Sequence, residues 1–177
     1  MRSRQGLRKV RKHTKAGVRN YWVRSKDLSG SVGRLDYYKR RNADFKSRNN
    51  GEQHSYYTQY GDKYARRFHA IRGTLTPQGQ TWVKNTRSAL HSEIEKRRAH
   101  NPVTFSKLEK NQAKFQTFAY SSHTRAYLKT GIQHLPIRDI LRIGMTPDIR
   151  DVATRQGVRQ ISRIGIKVIQ HKLKRTR

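Results

Sequence analysis

Each of the four prolines in this chain stands where a helix would begin. Proline fixes φ near the helical value and has no N–H to donate, so it fits the first helical position and breaks a helix further in. Thr76-Pro77 and Thr146-Pro147 put a capping hydroxyl directly before proline, and Asn101-Pro102 does the same with an amide. Leu135-Pro136 has no cap but precedes a periodic run. These starts predict a helix from Pro77 to about Arg98, with Trp82, Val83, Thr86, Leu90 and Ile94 on one face. A second runs from Pro102 through Phe105, Leu108, Phe115 and Phe118, with a break near Asn111. A short one begins near Ser122, carries Ala126, Tyr127 and Leu128, and stops at Gly131; another spans Pro136 to Ile143 and stops at Gly144.

Asp148 and Asp151 follow Pro147 in a first turn, where the helix dipole favours acids. A last helix is expected over about Thr154 to Leu173, with Val158, Ile161, Ile164, Val168 and Ile169 as its apolar positions. Alternation at Ile164, Ile166 and Val168 offers a strand instead; the four-residue spacing extends over the whole segment and favours the helix. Upstream, Tyr57, Tyr60, Tyr64, Phe68 and Ile71 recur at steps of three and four, the stripe of an amphipathic helix ending at Gly73. Leu35 to Ser47 reads as a short helix closed by Asn49-Asn50-Gly51. The fold expected is all-α: a small multi-helix domain with a disordered basic N-terminal arm and a basic C-terminal helix. Residues 1–34 are arm and flexible joint, 35–51 a short helix and turn, and 52–177 the helical domain.

Charge sets the second constraint. The chain carries 41 Lys and Arg against 11 Asp and Glu, a formal net charge of +30. Like charges repel and destabilise a compact state unless something outside neutralises them. Nucleic acid does this well, because each phosphate contact releases condensed counterions. Without cysteine there is no disulfide, thiolate nucleophile or Cys-type zinc site. No stretch approaches the roughly 18 apolar residues of a membrane span. The N-terminus lacks the apolar middle of a secretory signal, and a cytoplasmic or nucleoprotein-associated location is expected.

Residues 1–26 contain ten Lys or Arg and no acid: Arg2, Arg4, Arg8, Lys9, Arg11, Lys12, Lys15, Arg19, Arg24 and Lys26. So few apolar residues interrupt the run that it is expected to stay disordered alone. Tyr21, Trp22 and Val23 make an apolar knot that either docks on the domain or stacks on bases. At the other end Arg155, Arg159, Arg163 and Lys167 are each four apart, one continuous helix face. Lys172, Lys174, Arg175 and Arg177 extend it, with no acid after Asp151. Lys39, Arg40 and Arg41 beside Tyr37 and Tyr38 interleave cations with aromatics, as single-strand binders do. Arg66, Arg67 and Arg72 form one more patch, and Lys96, Arg97 and Arg98 another. No RNP run, KH loop or zinc-finger ligand set is present. The partner expected is therefore RNA or DNA, contacted through phosphates, within a ribonucleoprotein or nucleoprotein assembly that includes other proteins. An anionic membrane surface is the further option.

Catalysis has two candidate groups. His91 and Glu95 lie one turn apart, with Glu93 near. Asp62, Arg66 and His69 fall on one side of the tyrosine-rich helix, the residue types of a metal-independent nuclease; an Asp62–Arg66 surface pair is the plainer account. Asp139, Asp148 and Asp151 would need tertiary folding to converge on a metal, so neither metal nor cofactor is expected. No HExxH, Walker loop or GxSxG occurs. The alternative to a structural nucleic-acid binder is a small basic toxin or effector domain of a bacterial secretion or injection system, acting as a nuclease or on membranes.

Overall fold

The computed structural model describes the backbone of residues 8–14 and 17–23, all of residues 25–146, and Gly165. Six α-helices lie within 25–146: α1 (Tyr37–Arg48), α2 (Asp62–Ile71), α3 (Pro77–His100), α4 (Pro102–Lys110), α5 (Gln112–Lys129) and α6 (Ile137–Met145). A π-helical stretch, Tyr56–Gly61, runs directly into α2. The protein is thus an all-α multi-helix domain over these residues.

The capping chemistry works as the sequence implies. Thr76 Oγ1 accepts from the Gly79 N–H at 3.2 Å, Asn101 Oδ1 from Thr104 at 2.9 Å, and Asn111 Oδ1 from Lys114 at 3.0 Å. Asn111 both ends α4 and caps α5, the break expected there. Gly131 follows α5 with φ 88°, a left-handed turn that glycine takes without strain.

Several boundaries differ. No new helix starts at Ser122: α5 runs through it, and the Ser121 and Ser122 hydroxyls donate back to Phe118 O and Ala119 O at 2.8 and 2.6 Å. A serine satisfied within its own helix is no start signal. Gly144 lies inside α6 rather than ending it. In the segment expected to be a disordered arm, β1 (Arg8–Thr14) pairs antiparallel with β2 (Gly17–Val23), from Arg8 opposite Val23 to Thr14 opposite Gly17. Val10, Val18, Tyr21, Trp22 and Val23 supply the β-branched and aromatic residues that favour a strand. The final helix over 154–173, its strand competitor and Pro147 lie outside the described residues, save Gly165, which is helical. Thr146, expected to cap a helix start, instead ends α6 in a helical conformation, its hydroxyl donating back to Arg142 O at 2.8 Å.

The joint and the short helix were also expected to stand apart from the domain. Residues 25–34 are instead tied down: Leu28 is buried and its N–H donates to Glu95 at 3.2 Å. Helix α1 sits in the core. Asn50 and Gly51, both at positive φ, turn the chain so that the residues after α1 fold back beside it. One cluster joins Tyr37, Tyr38, Phe45, Tyr56, Tyr57, Phe105, Phe115 and Ile94; a second joins Leu75, Trp82, Val83, Ile132, Leu135 and Ile143. Helix α3 spans both.

Candidate nucleic-acid interface and the buried ionic cluster

Arg41, Asp44 and Arg48 are spaced three and four apart on α1, so they share the face it turns inward. Arg41 and Arg48 meet three carboxylates there. Arg41 contacts Asp44 at 3.2 Å and forms an ion pair with Glu95 of α3; Arg48 contacts Asp44 at 2.8 Å and Glu109 of α4 at 2.7 Å. The Tyr37 hydroxyl donates to Glu95 and the Tyr57 hydroxyl to Glu109, both at 2.8 Å. Arg98 adds a donor to Glu95 at 2.8 Å, and the Lys26 N–H one to Asp44 at 3.0 Å. Arg41 and Glu109 are both 0 % exposed. Burial opposes the charge on Arg41, but the oxygens of Tyr57, Tyr37, Glu95 and Glu109 outweigh it and hold the guanidinium ionised. Burial pushes the Glu109 carboxyl above its ordinary range, with Arg48, Arg41 and Tyr57 opposing.

This corrects the reading of Arg41 as a phosphate contact: it is a core residue, unreachable by a ligand. Tyr37 and Tyr38, at 0 and 4 % exposure, are core residues too and cannot stack on bases. A run of cations beside aromatics does not say which of them the helix turns inward. The signal that separates them is the i, i+3, i+7 spacing of Arg41, Asp44 and Arg48, where the acid sits between two arginines. Lys39 and Arg40 are exposed as expected, Arg40 pairing with Asp36 at 2.7 Å.

The catalytic candidates separate as well. His91 is fully buried and stacks on Tyr37 at 4.0 Å, its Nδ1 accepting from the Gly33 N–H at 3.0 Å. Burial, with Arg87 nearby, lowers its pKa to about 3. Glu95 beside it is saturated with donors, so the pair has no base to offer. Asp62 and Arg66 pair at 2.9 Å, and His69 is exposed on the same helix. Asp139 is fully buried; it accepts from the Thr76 N–H at 3.2 Å and from the Thr76 hydroxyl, clamping the start of α3. Among the described residues no three His, Asp or Glu are grouped to hold a metal. An open groove of about 400 Å³ between the start of α3 and the turn after α5 is lined by Gln78, Trp82, Asn85 and His134 and contains no Lys, Arg, Asp or Glu.

Taken acid by acid, the charge distribution is one-sided. Residues 25–146 hold nine acids, and eight are in ion pairs: Asp27, Asp36, Asp44, Asp62, Glu93, Glu95, Glu109 and Asp139. Only Glu52 stands outside such a pair. The same residues hold 23 Lys and Arg. Lys39, Lys46, Lys84, Lys96, Lys107, Lys110, Lys114 and Lys129 are among those exposed. Acids are spent on arginines, four of them in the interior, and the surface is left cationic. Of the other expected phosphate contacts, Arg8, Lys9, Arg11 and Lys12 fall on β1. Arg2, Arg4, Lys15, Arg155, Arg159, Arg163, Lys167, Lys172, Lys174 and Arg175 lie outside the described residues. No helix among the described residues is long and apolar enough to cross a membrane.

Comparison with protein-family models, curated proteins and solved structures found no match. The class rests on the fold and the charge alone: a small all-α body with a cationic exterior.

Proposed function

We propose that this protein binds RNA or DNA through phosphate contacts, as a structural component of a nucleoprotein assembly. The observation that carries the reading is the charge imbalance of residues 25–146: eight of their nine acids are in ion pairs with the chain's own arginines, four of those acids in the interior, while Lys and Arg number 23, so the exterior there is strongly cationic. A surface that evolves for solubility alone interleaves both signs. Phosphate contacts give affinity without base specificity.

Purification at low salt tests the reading. Nucleic acid should accompany the protein, seen as a high 260/280 absorbance ratio that 1 M salt removes. A clean protein that ignores added oligonucleotides contradicts it. Degradation of the added strand, lost in His69→Ala, would establish the effector-nuclease alternative instead.

A further inference from the structure

Among the described residues the large hydrophobic side chains left exposed are Ile137, Leu141 and Met145, at 64, 59 and 75 %. All three lie on α6, four residues apart, and so form one stripe along that helix. Asp139 and Ile143, buried, and Ile140, partly buried, hold the other side of α6 to the body. Apolar residues scattered singly over a surface need no explanation, but a contiguous stripe does.

The chain that follows supplies an occupant. Residues 147–177 begin two positions after Met145, the last residue of the stripe. On a helical wheel Val158, Ile161, Ile164 and Val168 fall on one side, and Arg155, Arg159, Arg163 and Lys167 on the other. A tethered segment meets the stripe at an effective concentration on the order of millimolar. A second copy would bring another +30 charge against the first. We propose that the Ile137–Leu141–Met145 stripe is the docking surface for the chain's own residues 147–177, with Val158, Ile161, Ile164 and Val168 laid on it and the basic row turned outward. Docking fixes that row to the body rather than leaving it on a tether, whichever polyanion it meets.

Hydrogen exchange by mass spectrometry on the full chain tests this with Leu141→Asp, an exposed position whose change leaves the helical core intact. Peptides within 152–169 should exchange at least about tenfold faster in the variant, while α3–α5 stay as protected as before. Equal exchange in the two proteins overturns the proposal. Should α3–α5 also loosen, Leu141→Ser is read by the same criterion. Sedimentation over rising concentration and pelleting with phosphatidylserine vesicles close the remaining routes. A wild-type dimer that L141D disperses, or vesicle binding that L141D abolishes with exchange unchanged, assigns the stripe to another occupant and overturns the proposal.

Discussion

The cluster around Tyr37, Tyr57 and Phe115 encloses five charged side chains, Arg41, Asp44, Arg48, Glu95 and Glu109, whereas that around Trp82 and Leu135 encloses one, Asp139. The first is built from rings whose hydroxyls reach the ions; the second is mostly aliphatic, with a single carboxylate clamping a helix start. A buried ion network adds little net stability over an apolar core of the same shape, yet removing one partner strands the others. In this chain it has a further effect, because it withdraws acids from the surface. Neighbours in sequence thereby take opposite roles: Arg40 faces water and Arg41 is sealed inside.

The largest effect should come from breaking the first cluster at its centre. Arg41→Met leaves Glu95 and Asp44 buried without their shared partner and should cost about 3–5 kcal/mol in denaturant melts. Arg40→Met removes only a surface pair and should stay within about 1 kcal/mol of wild type. Equal costs would erase the distinction between the two arginines.

Acid should also distinguish the clusters, since the buried histidines belong to the first. His54 stacks on Tyr57 at 4.2 Å with Phe45 and Phe115 edge-on. Burial lowers its pKa to about 4, as it lowers that of His91 to about 3. A histidine with a depressed folded pKa takes up its proton more readily unfolded. Its contribution is therefore complete above the unfolded value of 6.5 and is lost as pH falls toward the folded one. The loss is on the order of 3–5 kcal/mol for each. Glu109 acts in the opposite sense, since a carboxyl held high by burial takes up its proton more readily folded. The melting temperature should fall between pH 6.5 and 4, and His54→Phe should flatten that slope.

In the second cluster Asp139→Asn should cost about 1–3 kcal/mol by weakening the Thr76 clamp. Gly79→Ala should destabilise as well, although alanine favours helices, because its methyl would meet the Asp139 carboxylate. A gain in melting temperature would show that the clamp yields.

Similar in size is the effect of where the N-terminus is cut. Deleting residues 1–24 should leave melting nearly unchanged. Deleting 1–26 removes Ser25 and the Lys26 main chain, which bond Asp44 and Arg41, and should cost about 1–3 kcal/mol more. Indistinguishable melts would show that the ionic cluster closes without them.

Helix starts were legible because they depend on local chemistry: Thr76, Asn101 and Asn111 cap by bonds within three residues. The all-α class followed from them and from the tyrosine stripe. What local pattern could not give is which face a helix buries when charge and aromatics share it, as on α1. That choice is made by Glu95 and Glu109, more than 50 residues away, whose carboxylates define where Arg41 and Arg48 can go. The serines of α5 misled for a related reason, since a hydroxyl that bonds back within its helix looks in sequence like one that starts a helix. Of the candidate interface, the total charge was readable from composition. The fate of each cation was not, because pairing is tertiary.

The central claim is that the excess of cations left on the exterior holds phosphates, and the salt dependence of oligonucleotide binding tests it most directly. Affinity should fall on a log–log plot with a slope of about 0.7–0.9 per phosphate contacted, summing to several contacts. A slope near zero, or no binding at low ionic strength, would contradict it.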